Sequence, residues 1–200
     1  ECCGAVSQHL SATEEARKTI RHNIDRWWPH IEQGIEAIVI TASGCGVMVK
    51  DYAHIIADDA DYADRAKRVS ELARDISEIL THEDLSGLLK PQNGQRIAFH
   101  SPCTLQHGLQ LNGVVENILQ QAGFELTRVE DSHLCCGSAG TYSILQPELS
   151  QQLLHNKLDN LQRPQPELIA TANIGGQMEL ATEAEVPVMH WLELIDQAST

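Results

Sequence analysis

The triplet Cys-Cys-Gly occurs twice, as Cys2-Cys3-Gly4 and as Cys135-Cys136-Gly137, and each copy precedes an apolar, strand-like run that ends in small residues. The first run is Ile38-Val39-Ile40-Thr41-Ala42-Ser43-Gly44-Cys45-Gly46 and the second is Leu168-Ile169-Ala170-Thr171-Ala172-Asn173-Ile174-Gly175-Gly176. A chain patterned this way folds as a repeat built around thiols. Neighbouring cysteines bond to each other only by distorting the peptide between them. Two thiols kept beside a glycine are therefore aimed at a third party, a metal centre first of all.

The spacing of the two copies makes the repeat specific. Forty-one residues separate Cys3 from Cys45, and 39 separate Cys136 from Gly176, so Cys45 and Gly176 occupy corresponding places. Thirty-one residues separate Cys103 from Cys135, and Cys103 completes the second set of thiols. One thiol position is thus filled in the first copy and empty in the second.

Hydrophobic periodicity supplies the frame. Residues 11–33 carry apolar side chains at helical spacing with Thr13 as a cap, and Ile35 to Thr41 is a β-branched run suited to a strand buried on both faces. A charged helical stretch follows over 61–80, and Pro91-Gln92-Asn93-Gly94 punctuates the chain. The pattern then predicts strands at 96–100, 124–129, 168–172 and 186–189, alternating with helices at 105–122, 141–161, 178–182 and 192–197. Such alternation argues for an α/β chain of two related modules, residues 1–92 and 93–200, each with a mostly parallel sheet flanked by helices. Every cysteine then falls at the carboxyl end of a strand or the amino end of a helix, where open α/β sheets place their ligands.

Composition narrows the function. A formal charge of −14 opposes attraction to nucleic acid or anionic lipid, and no apolar run is long enough to cross a bilayer, so the chain reads as cytoplasmic. Six cysteines without secretory features read as reduced ligands or catalytic thiols. The residues alone leave four readings open. The thiols are buried small hydrophobes, zinc ligands, thiol-disulfide catalysts, or ligands of an iron-sulfur or related redox centre. Zinc usually brings a short C-x-x-C or H-x-x-x-H clip, which this chain lacks, whereas soft thiolates near backbone N–H donors suit iron-sulfur chemistry.

Weaker candidates surround these. His100, His107 and His133 flank the cysteines as ligands or proton carriers. Trp27-Trp28-Pro29 and Trp191 suit packing or a subunit contact. Asp58-Asp59-Ala60-Asp61 lacks the glycine and terminal glutamate of a calcium loop, and Gly137-Ser138-Ala139-Gly140 has no lysine to make it a phosphate loop.

Three runs carry a resemblance: Phe99-His100-Ser101-Pro102-Cys103-Thr104-Leu105-Gln106-His107, then Asp131-Ser132-His133-Leu134-Cys135-Cys136-Gly137-Ser138-Ala139-Gly140-Thr141-Tyr142, then Thr171-Ala172-Asn173-Ile174-Gly175. Together they resemble the cysteine-rich CCG domains of heterodisulfide reductases, the anaerobic glycerol-3-phosphate dehydrogenase small subunit, lactate-utilisation proteins and, nearest of all, glycolate oxidase iron-sulfur subunits. The likeness covers essentially the whole chain.

The resemblance implies an electron-transfer subunit that relays electrons from FAD-binding glycolate oxidase subunits to an acceptor such as a membrane quinone, with no catalytic residue of its own. It implies [4Fe-4S] or related iron-sulfur cofactors on Cys2, Cys3 and Cys45 and on Cys103, Cys135 and Cys136. It also implies further [4Fe-4S] clusters in a ferredoxin-like domain ahead of Glu1, and a peripheral place at the inner membrane through partners. Gly176 stands where the family usually has a trailing cysteine, so the second site offers three thiolates and needs a fourth ligand from elsewhere. The alternatives are the same module serving another 2-hydroxy acid or glycerol-3-phosphate, or a docking scaffold with degenerate sites.

Overall fold

The computed structural model describes residues 2–85, 89 and 94–199. The chain forms two compact units, 1–76 and 77–200. The module boundary expected at 92/93 lies outside the described residues.

In the first unit the Cys-Cys-Gly turn leads into α1 (Ala5–His9) and α2 (Thr13–Glu32), then β1 (Ile38–Ile40), α3 (Ser43–Lys50), α4 (Tyr52–Ile55), α5 (Ala63–Leu72) and β2 (Ala73–Asp75). Ala16, Ile20, Asn23 and Ile24 form the buried stripe of α2, spaced so that they share one face. Thr13 makes no side-chain cap, and Glu14 and Glu15 instead meet the positive end of the helix.

Two expectations are corrected here. β1 pairs in parallel with β2 in a two-stranded sheet and is not covered on both faces, for Val39 is 48% exposed. The charged helix expected over 61–80 is interrupted by β2, after which α6 (Ile76–Leu80) resumes it. Ala73 and Asp75 are buried, and the Arg74 guanidinium donates to the carbonyls of Glu71 and Ala73. Pairing with a distant strand outweighs local helix propensity here, which no short-range pattern carries.

The second unit contains β3 (Arg96–His100), a π-helical turn (Thr104–Gly108), α7 (Val114–Gln121), β4 (Glu125–Leu126), α8 (Tyr142–Leu145), α9 (Pro147–Gln162), β5 (Leu168–Thr171), α10 (Ile174–Leu180), β6 (Val188–His190) and α11 (Trp191–Ser199). Its four strands are parallel in the order β4-β3-β5-β6. The two central strands are buried along residues 97–100 and 168–171, as continuous apolar runs should be.

Two long helices expected from periodicity are each divided. The first breaks where Gln110 and Gly113 take left-handed backbone angles, and the second breaks at Pro147, which starts α9 at a position that needs no N–H donor. β4 is also shorter than the strand expected over 124–129. Leu154, Leu158 and Leu161 of α9 pack with Ala98, Ile169, Leu180 and Cys136 in the core. Among the described residues no helix is long and apolar enough to cross a membrane.

Candidate metal centres

In the first unit Gly4 adopts φ 89°, a left-handed angle that a side chain resists. The turn brings the Gly4 N–H to 3.4 Å from Cys2 Sγ. A polar pin holds the pair from behind. Asn23 Nδ2 donates to the Cys2 carbonyl at 2.8 Å and to the Tyr52 hydroxyl at 2.9 Å, and that hydroxyl donates to the Cys3 carbonyl at 2.7 Å. Tyr52 and Asn23 are almost wholly buried.

Cys45 is the third residue of α3 and faces Cys3 from the end of β1. The Cys45 thiol holds Cys3 down to about 6 against the opposing effect of burial, while the same contact pushes Cys45 up. Cys2 is exposed and opens on a shallow groove shared with Glu15, Lys18 and His22.

The second unit repeats this construction. Gly137 adopts φ 91° and its N–H reaches Cys135 Sγ at 3.3 Å. The Ser150 hydroxyl pins the loop through the Gly137 carbonyl at 3.1 Å. Cys103 caps the π-helical turn just past β3, where it faces Cys135. The thiols of Cys103 and then Cys136 hold Cys135 far below the usual thiol range, and both of those neighbours are pushed up. In both sites a thiol–thiol contact lowers one cysteine and raises its partner. Cys103, Cys135, Cys136 and His100 line one cavity of about 100 Å³ together with Ser138, Asn173 and Gly176.

Gly176 is the third residue of α10, as Cys45 is of α3, and each helix follows a parallel strand through an extended residue, Asn173 or Ala42. A Cβ on Gly176 would lie 2.9 Å from Cε1 of His100. The imidazole fills the space into which a side chain there would project. His107 and His133 are exposed and do not line the cavity.

The family's sequence pattern, described as a cysteine-rich domain and abbreviated CCG, matches residues 1–50 and 97–181, which takes in all six cysteines and Gly176. The chain belongs to the CCG cysteine-rich domain family. It is 53% identical to the glycolate oxidase iron-sulfur subunit of Escherichia coli over 98% of its own length and 48% of that protein. It is 28% identical to the "Probable glycolate oxidase iron-sulfur subunit" of Bacillus subtilis, over 99% of this chain and 46% of that one. It is also 28% identical to lactate utilization protein A of Anoxybacillus flavithermus, over 98% of this chain and 82% of that one. The chain therefore spans about half the length of the two glycolate oxidase relatives.

The donor set of this CCG chain suits a soft metal group, because both sites offer thiols, backbone N–H donors to sulfur and no cage of hard oxygens. Among the described residues no three His, Cys, Asp or Glu side chains are arranged to hold a single metal ion. The second-site thiols instead stand around a cavity wall, where each can meet a different atom of a larger group.

The structure also disposes of lesser candidates. Asp58 and Asp59 pair with Arg17 and Arg21, Trp27 stacks on Tyr52, Arg65 lies over Trp28, and Trp191 is fully buried.

One residue escaped sequence reasoning. Lys157 is 1% exposed, and its Nζ donates to the Ser132 carbonyl at 2.7 Å beside the second-site thiols. Burial pushes its pKa down, while Cys136, Cys103 and Cys135 pull it up. Its signal was present in the spacing. With Leu154, Leu158 and Leu161 it falls on the i, i+3, i+4, i+7 stripe of α9, and a lysine inside an apolar stripe needs a partner. His100 is likewise buried, and burial together with the Lys157 charge lowers it to about 3, so the ring is neutral at physiological pH.

Proposed function

We propose that this chain is the cysteine-rich part of an iron-sulfur subunit that relays electrons in a glycolate-oxidising dehydrogenase, with oxidation of the 2-hydroxy acid carried out on a partner flavoprotein. The observation that carries the reading is the gathering of Cys103, Cys135 and Cys136 on one cavity wall at the tips of a parallel sheet. The repeat of the same turn at Cys2 and Cys3 supports it. The names of the relatives point the same way, toward hydroxy-acid oxidation.

In this reading Cys103, Cys135 and Cys136 hold one iron-sulfur group, and Cys2, Cys3 and Cys45 contribute to another. Such a group supplies one-electron redox capacity without proton chemistry of its own. The residues of this chain do the rest. The Gly4 and Gly137 N–H groups donate to sulfur and disperse its negative charge, and Lys157 places a buried cation beside the second set. The Tyr52 and Asn23 pin and the Ser150 hydroxyl keep the two turns rigid, which lowers the reorganisation needed when charge arrives. Ile144, Leu145, Leu149, Ile174 and Met178 are half or more exposed on α8, α9 and α10, an apolar surface of the kind a partner subunit covers.

The competing reading is a docking scaffold with degenerate sites, and the glycine at 176 favours it. Iron and acid-labile sulfide measured on anaerobically purified protein separate the two. The relay reading expects a brown protein with iron and sulfide in both units, and a colourless, iron-free protein would leave only the scaffold.

A further inference from the structure

The second site has three cysteines where the symmetry of the repeat calls for one donor more, and the geometry around Gly176 shows what stands in that place. Cys45 and Gly176 occupy the same position, the third residue of a helix entered from a parallel strand. Where a side chain on Gly176 would begin, the ring of His100 already stands, 2.9 Å away at Cε1 and 3.3 Å at Nδ1. A cysteine at 176 and the imidazole of His100 therefore exclude each other from one volume.

His100 reaches this volume from the last residue of β3 and lines the cavity with Cys103, Cys135 and Cys136. Its Nδ1 lies 2.8 Å from the hydroxyl of Thr171, its register partner on β5, and Thr171 is fully buried. That bond fixes the plane of the ring and leaves Nε2 as the ring nitrogen for the cavity. A histidine ligating through one nitrogen while the other is held by a second residue is the usual arrangement in metal sites.

We propose that His100 supplies, through Nε2, the fourth ligand of an iron-sulfur group held by Cys103, Cys135 and Cys136, with Thr171 fixing the orientation of the ring. The proposal rests on the iron-sulfur reading above. The site is then not a degraded copy of the first but a mixed-ligand one. Replacing a thiolate by a neutral imidazole removes one negative charge from the ligand shell, so the second group accepts an electron more readily than an all-thiolate one.

The test uses this 200-residue chain carrying Cys3→Ser and Cys45→Ser, which silences the first site. It is labelled with ¹⁵N-histidine, loaded anaerobically with iron and sulfide, and reduced. Pulsed electron paramagnetic resonance is expected to show the strong coupling of a directly bound histidine nitrogen. His100→Ala should lose it, and His107→Ala and His133→Ala should keep it. The double variant His100→Ser with Gly176→Cys should also lose the coupling while keeping iron, and its reduction potential should fall. Iron and sulfide present without a directly bound nitrogen would overturn the histidine ligand and leave the iron-sulfur reading standing. Coupling retained in His100→Ala would overturn it too, and a protein that takes up neither iron nor sulfide would overturn both.

Discussion

The two thiol sites begin from the same turn and end differently. Both place a Cys-Cys pair on a left-handed glycine whose N–H points back at the first sulfur, and in both one cysteine is held low by contact with a neighbouring thiol. The first is completed by Cys45 and pinned by Tyr52 and Asn23, with Cys2 open to solvent. The second surrounds a partly open cavity with three thiols and a buried imidazole, and sets a buried lysine beside them. A repeat of this kind keeps the backbone device that aims the sulfurs. The surrounding side chains are then free to give each copy its own charge and access to solvent.

The largest effects should come from removing sulfur. Cys136→Ser is expected to abolish the iron of the second site and leave the first intact, and Cys45→Ser should do the reverse. Iron and sulfide content with visible absorbance reads both. Equal losses from both sites in either variant would mean that the units do not load independently, and the comparison would break.

The paired glycines give a sharper contrast. Gly4 and Gly137 share the same backbone angle, so an alanine at either place costs about 1–2 kcal/mol in conformation alone. Their surroundings differ. A Cβ on Gly4 meets Thr19 at an ordinary 3.5 Å, whereas one on Gly137 would lie 2.5 Å from the Ser150 carbonyl oxygen. Gly137→Ala should therefore destabilise its unit by roughly 2 kcal/mol more than Gly4→Ala does. Thermal or denaturant unfolding measures the difference, and equal losses would show that the Ser150 loop yields freely.

Lys157 separates the sites by charge. Lys157→Met keeps the length of the side chain and removes the cation, so the second site should become harder to reduce by roughly 50–100 mV while the first is unchanged. Redox titration followed at each site's signal checks this. A shift shared by both sites would remove the lysine as the cause.

Much of this was legible in the residues, because glycine after two cysteines, and small residues after a β-branched run, are local requirements of tight turns. The alternation of strand and helix was legible for the same reason, and β3 was found at its observed bounds. What could not be read depends on partners distant in sequence. Ala73-Arg74-Asp75 is a strand because β1 lies beside it. The break in the helix expected over 105–122 is local by contrast, set by the left-handed angles of Gln110 and Gly113 against an unbroken apolar period. His100 stood among three flanking histidines with nothing local to distinguish it. Only the space above Gly176, set by the register of β3 against β5, singles it out.

The smallest effect tests how the two turns are held. Tyr52→Phe removes the hydroxyl that donates to the Cys3 carbonyl and accepts from Asn23, both in buried surroundings, so the first unit should lose about 1–2 kcal/mol. Ser150→Ala removes the corresponding hydroxyl bond to the Gly137 carbonyl and should cost the second unit about 1 kcal/mol. The single serine proton is shared between the Gly137 carbonyl and the Glu179 carboxylate, whereas the tyrosine hydroxyl both donates to Cys3 and accepts from Asn23, which also reaches Cys2, so the tyrosine variant should lose more stability. It should also loosen the first site's hold on iron, seen as faster release to a chelator. If the two variants lose iron at equal rates from their own sites, the pins are interchangeable and the asymmetry between the units lies in the ligands alone.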